Sequence, residues 1–408
     1  MKTHTKPPQP PQPLRAGRWL AAVVLSLGPS LAQAQAQAQP QAQVQEKVGL
    51  RNLAISRGLR LGTAAPIDVL RGDSADSSAF RAALMLGFNM IEPENDFKPP
   101  AIWQGEGKYD FDRADWLLGA PGALGWAQSN GFAVRGHVLV YARDDGYTLP
   151  QWIRDRQAAI SPDKARQLLK DYIYALVGRY KGKVLAWDVL NEAIDDGPGA
   201  RPLHLRDSFW FRKLGPDFVK LAFQFAHEAD PRAELYYNDY AAEGLSPKSD
   251  AVLELVRWVR AQGVFVSGVG MQWHKGVGDK IEPGDAFYRN AERLRKEGFD
   301  FQITELDVAV PVKPYPKEDA RYGQQAASPH DLKQQAAVYR EVLRLALSFP
   351  NCRGFQMWGL SDKHSWIPGF SGGKNGAALI SDANYQPKPA HGALREELAA
   401  SAVAPAAP

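Results

Sequence analysis

Leu185-Ala186-Trp187-Asp188-Val189-Leu190-Asn191-Glu192 is a short β-prone run that ends abruptly in an amide and a carboxylate. A chemically similar run, Phe301-Gln302-Ile303-Thr304-Glu305-Leu306-Asp307, lies further along the chain. Six more β-prone runs surround them, at 59–63, 90–92, 133–140, 234–237, 266–272 and 354–358. Amphipathic stretches at 162–180, 209–229, 248–262 and 332–347 fall between them. Each gap is long enough for the crossover helix that parallel strands require. Eight strands with helical returns predict an α/β fold of the (β/α)8 TIM-barrel class, closed rather than open and doubly wound. A dinucleotide fold would also want a glycine-rich turn after its first strand, and Leu61-Gly62-Thr63-Ala64-Ala65 does not supply one.

In a parallel barrel the groups that do chemistry sit at the carboxyl ends of the strands. The second run ends Glu92-Pro93-Glu94-Asn95-Asp96-Phe97-Lys98, the third carries His137 and continues to Tyr141, and the fifth gives Asn238-Asp239-Tyr240. The sixth ends Gln272-Trp273-His274, and the eighth ends Trp358-Gly359 with Trp366 just beyond. Polar residues belong there in any barrel, because loops are solvated. Charge directly after an apolar strand, repeated round the ring, is more informative. Glu192 after the fourth strand and Glu305 after the seventh should meet across the barrel mouth. Cleavage of a glycosidic bond needs two carboxyl groups, one to protonate the leaving oxygen and one to attack or to activate water. At the separation of about 5–5.5 Å used by retaining enzymes, each opposes ionisation of the other, so one can stay protonated beside a carboxylate.

Trp187-Asp188-Val189-Leu190-Asn191-Glu192-Ala193 and Ile303-Thr304-Glu305-Leu306-Asp307 resemble the two signature strands of glycoside hydrolase family 10, the xylanases. The resemblance runs from Leu61 to Pro389 and touches every strand end. It takes in Glu94-Asn95 with Lys98, Arg135-Gly136-His137, Asn238-Asp239-Tyr240, Trp358-Gly359 and Asn384-Tyr385-Gln386-Pro387-Lys388-Pro389. What it implies is a retaining endo-1,4-β-xylanase acting by double displacement, with Glu192 as acid/base and Glu305 as nucleophile. His274 would hydrogen-bond Glu305, and Asp307 would hold that imidazole. Asn191 would bind the sugar hydroxyl beside the reacting carbon, with Gln272 next to Glu192. Asn95, Lys98 and His137 would bind the sugars on the non-reducing side, with Tyr141 among the substrate-binding groups. Trp358 and Trp366 would form an apolar wall at the cleavage point. Taken singly, His137 reads equally well as a core histidine, and Trp187 reads better as packing.

Four positions depart from the family pattern. Its third strand usually ends Trp-His, where this chain has Tyr141-Ala142. Pro99 stands where the family usually has Trp, and Glu92 where it often has Thr. These changes surround the non-reducing side, so they bear on substrate detail and leave the double displacement intact. Ala142 should open extra room there, for a decorated sugar or for water.

The ends of the chain read differently from its middle. Lys2, Lys6, Arg15 and Arg18 precede an apolar run at 19–31, with no acidic residue before Glu46. That run is too short to span a bilayer, which takes about 20 apolar residues. Ala32-Gln33-Ala34 follows with the small-x-small form of a signal-peptidase site, so residues 1–34 are expected to direct export and be removed. The Ala/Gln repeat at 35–50 reads as a disordered spacer, 51–398 as one catalytic domain, and 399–408 as a disordered tail. Loss of the four basic residues takes the formal net charge from +4 to zero. That excludes a basic face for nucleic acid and leaves no membrane anchor, and a monomer is expected. Cys352 is the only cysteine, so no internal disulfide is available. No two histidines stand at metal-ligand spacing, so neither metal nor cofactor is expected.

Three readings remain open on sequence grounds. The chain is an endo-acting xylanase, a related barrel glycosidase for another β-glycan or for decorated xylo-oligosaccharides, or a sugar-binding barrel without turnover. Glu192, Glu305 and His274 together argue against the last.

Overall fold

The computed structural model describes residues 49–197, 201–312 and 327–400. Eight parallel strands close on themselves: β1 Leu61–Ala64, β2 Met90–Glu92, β3 Ala133–Gly136, β4 Ala186–Asn191, β5 Glu234–Asp239, β6 Gly268–Met271, β7 Asp300–Pro311 and β8 Cys352–Met357. They pair in sequence order, and β8 returns to β1, for example Leu61 against Phe355. The (β/α)8 barrel expected from the sequence is therefore the fold. Residues 1–34, most of the spacer and nearly all of the tail lie outside the described residues.

The strands are buried on both faces, as strands between a packed interior and a helical coat must be. The coat is built from amphipathic stripes. Helix Pro162–Arg179 buries Ala165, Leu168, Leu169, Tyr172, Ile173, Leu176 and Val177, a repeat of three and four residues that keeps one face on the barrel. Ser161, Ser246 and Ser328 each accept a backbone N–H at a helix start, with proline at the first helical position.

Several boundaries differ from the sequence expectation. The stretch 209–229 is two helices, Phe209–Leu214 and Asp217–Ala229, broken at Gly215-Pro216. β3 stops at Gly136 and resumes as the short strand Val140–Tyr141, so His137 leaves the ladder. β7 runs well past Thr304, because its outer end pairs with His274–Gly276 and with Asn375–Gly376. The last helix, Pro389–Ala400, takes in two residues assigned to the tail, since burial of Leu394 and Leu398 anchors it to the core.

The barrel interior is polar just below its mouth. Arg135 of β3 is completely buried there. Its Nη1 donates to Glu92 Oε2 of β2 at 2.5 Å and to Asp188 Oδ2 of β4 at 2.6 Å, and its Nε donates to Gln302 Oε1 of β7 at 3.0 Å. Glu92, one of the positions that depart from the resemblance, thus serves as a second acidic partner of the buried guanidinium. Trp187 packs as expected, its ring lying where a β-carbon on Gly136 would stand 2.2 Å away.

Arg135→Met would leave Glu92 and Asp188 as buried carboxylates without their cation. Urea denaturation at neutral pH should show a loss of about 3–5 kcal/mol, the penalty typical of breaking a buried pair from one side. A loss below about 1 kcal/mol would mean that Arg135 does not organise the barrel.

Candidate active site

The carboxyl ends of the strands surround a cleft of 560 Å³. Of the residues singled out from the sequence, Lys98, His137, Tyr141, Glu192, Gln272, His274, Glu305, Trp358 and Trp366 line it. Chain direction changes sharply at its rim. Glu94, Glu192, Ala241 and Trp273 follow β2, β4, β5 and β6, and all four have positive φ, from 44° to 61°. The turn after β4 places the Glu192 carboxyl in the cleft rather than along the strand.

Glu305 is 5% exposed, so its surroundings decide its charge. Asn238 of β5 donates from Nδ2 to Glu305 Oε1 at 2.6 Å, while its own Oδ1 accepts from Thr304 at 2.7 Å. Gly270 makes room for this amide, since a β-carbon there would stand 2.3 Å from Asn238 Oδ1. His274 Nε2 lies 3.4 Å from Glu305 Oε2, and its Nδ1 lies 2.9 Å from Asp307 Oδ2. Trp366 Nε1 donates to that same Asp307 oxygen at 2.8 Å. Burial works to raise the Glu305 carboxyl, but His274, the nearby His137 and Asn238 together outweigh it and hold the group well below the ordinary carboxylate range.

Glu192 is held differently. Oε1 accepts the Tyr141 hydroxyl at 2.5 Å and Gln272 Nε2 at 3.1 Å. Oε2 lies 2.8 Å from Arg143 Nε, an ion pair off the line of a hydrogen bond. Burial and the adjacent Glu192 push the Tyr141 phenol well above its usual range, so it stays a donor. Asn191 is buried beneath, its Oδ1 accepting from Asn238 at 2.9 Å and from Gln272 at 3.3 Å.

The remaining residues fall into two groups. His137 is both core and cleft: it is 1% exposed, its Nδ1 lies 2.8 Å from Asp188 Oδ2, and its ring meets the Trp358 edge at 5.3 Å. Lys98 Nζ donates to Asn95 Oδ1 at 2.7 Å, with Asn95 itself exposed beside the cleft. Asp307 and Asn191 stand behind the lining, Asp307 against His274 and Asn191 against Asn238 and Gln272. The room expected at Ala142 is absent from the cleft, because that methyl is buried in the apolar core. Pro99 is the first residue of the short helix Pro99–Ile102, a place where its missing N–H does no harm. Sequence reasoning passed over Arg143, Glu243, Lys275 and Phe370, which also line the cleft. Among the described residues no cluster of three or more His, Cys, Asp or Glu side chains is placed to hold a metal ion.

Residues 49–397 match the model of glycosyl hydrolase family 10. The chain is similar to endo-1,4-beta-xylanase B of Thermotoga neapolitana, 32% identical over 354 residues that cover 86% of this chain and 92% of that one. It is also similar to endo-1,4-beta-xylanase A of the same organism, 34% identical over 75% of this chain, but it spans only 27% of that longer protein. Among solved structures it superposes on xylanase 10B of Thermotoga petrophila RKU-1 in complex with xylobiose, with a TM-score of 0.76 and 32% identity. That match covers 87% of this chain and 98% of the other.

The His274 imidazole should be visible in the pH dependence of folding. Burial alone would lower its proton affinity, but Asp307 and Glu305 outweigh that and push it from 6.5 up to about 10. A folded value above the unfolded one gives stability that is complete below pH 6.5 and is lost as pH rises through about 10. The difference in urea-unfolding free energy between the parent protein and His274→Gln should therefore be level at acid pH and shrink across that window. A difference that grows with pH would reverse the assignment.

Proposed function

The chain belongs to glycosyl hydrolase family 10, and from that premise we propose that it cleaves β-1,4-xylosidic bonds within xylan by a retaining double displacement. The observation that carries this reading is the pair of carboxyl groups facing one cleft from β4 and β7, one of them held ionised by its neighbours.

Glu305 is the nucleophile. It is oriented by Asn238 and His274, and Asp307 fixes the imidazole from behind. Its attack on the anomeric carbon forms a glycosyl-enzyme bond and breaks the bond to the leaving oxygen. Glu192 gives that oxygen its proton, then as a carboxylate takes a proton from the water that releases the sugar. Tyr141, Gln272 and Arg143 hold its two oxygens through both steps. On the family pattern Asn191 takes the hydroxyl beside the reacting carbon, Asn95, Lys98 and His137 take the sugars on the non-reducing side, and Trp358 and Trp366 close an apolar wall over the sugar.

Early-time NMR of a xylo-oligosaccharide digest should show the β-anomer first, and α-anomer first would contradict the double displacement. Glu305→Ala should lose turnover and be partly rescued by azide, yielding an α-glycosyl azide. Glu192→Ala should keep the first step on an activated aryl xylobioside, show a burst, and give a β-glycosyl azide. The same anomer from both variants would overturn the division of roles.

The amino-terminal segment supports export, to the periplasm or beyond. Its order of basic residues, apolar run and Ala32-Gln33-Ala34 has the form of a cleaved leader. Amino-terminal sequencing of the exported protein should begin within the Ala/Gln repeat, and a mature fraction that keeps Met1 would contradict it.

A further inference from the structure

Phe370 is 77% exposed, yet it belongs to the wall of the cleft. A single exposed apolar side chain usually needs no explanation. This one differs in its neighbours and in how firmly it is presented. Its ring centroid lies 4.7 Å from that of Trp366, at a 45° tilt, so the two rings make one bent apolar surface. Trp366 is fixed in turn by its bond to Asp307 and by edge contact with His274 at 5.0 Å. The surface is therefore continuous from the proposed cleavage point to Phe370.

The backbone beyond the ring is tied down at several points. Gly373 N donates to Pro368 O at 2.8 Å, and Ser371 Oγ both donates to Asn375 O and accepts from Asn375 N, at 3.1 and 3.0 Å. Asn375–Gly376 then pairs with Val310 and Pro311 at the outer end of β7. That end of β7 pairs in turn with His274–Gly276, which brings Lys275 to the same flank. Phe370 thus stands on the β6–β7 side of the mouth, whereas Lys98 and Asn95 belong to the β2 side. Water gains nothing from a rigid ring in this place, but a sugar does, because the C–H face of a pyranose covers such a ring and removes apolar surface from water.

We propose that Phe370 is a stacking platform for a sugar on the leaving-group side of the cleavage point. This rests on the assignment of the cleft to a β-1,4-xylan chain and adds the subsite that sets how much of the chain beyond the cut is held. The test compares the parent enzyme with Phe370→Ala and Phe370→Trp on xylotriose and on xylohexaose labelled at the reducing end. In Phe370→Ala the advantage of the hexaose in kcat/KM should shrink about fivefold. Its cuts should also move toward the labelled end, because modes that place several sugars on the leaving side lose their support. Phe370→Trp should restore both. An unchanged length advantage with an unchanged cutting pattern overturns the subsite, as does a shift toward the unlabelled end. A parent enzyme that cuts neither oligosaccharide overturns instead the xylan reading on which the subsite rests.

Discussion

The structure turns on a guanidinium that has no access to water. Arg135 sits inside the barrel, where an unpaired charge would be intolerable, so the strands around it must supply partners. β2 and β4 give a carboxylate each and β7 gives an amide, which couples three other strands to β3 at one level of the barrel. The consequence reaches the cleft directly. Asp188 uses the oxygen that accepts from Arg135 to hold His137 as well. A shift of β4 relative to β3 would therefore misplace a cleft side chain and strand a buried charge together. Packing alone tolerates small sliding, whereas this arrangement does not.

Above that level the barrel makes two carboxyl groups of the same type behave differently by choosing their neighbours. Glu305 lies among an amide and an imidazole, each oriented by a second partner, and burial strengthens their effect. Glu192 is reached by a hydroxyl, an amide and a guanidinium arriving from β6 and from the segment after β3. Neither environment is local to the glutamate concerned. Each is assembled from strand ends far apart in sequence, which is what a closed barrel makes possible.

That also explains what the sequence discloses. The eight strands are legible because each is a short apolar run followed at once by polar groups. Glu192, Glu305, His274 and Asp307 are legible because the family resemblance fixes them together. Asn238 appears within a quoted motif, but its service to Glu305 is not readable, since it depends on Gly270 leaving space between neighbouring strands. Arg143 is hidden for a related reason: an arginine in a loop is ordinarily solvated, and only the path after Val140–Tyr141 turns it toward Glu192. Ala142 shows the converse error. A smaller residue suggests a larger cleft only if its side chain faces the cleft, and this one faces the core. The division at Gly215-Pro216 was readable from turn chemistry, but the continuous amphipathic pattern on either side concealed it.

The turns with positive φ at Glu94, Glu192, Ala241 and Trp273 have a consequence for the history of such a molecule. A left-handed backbone costs a residue with a β-carbon roughly 1–2 kcal/mol, and glycine would remove that strain at each position. The chain keeps side chains there, including one of its two paired glutamates. Selection for thermal endurance and selection for turnover therefore pull in opposite directions at Glu192.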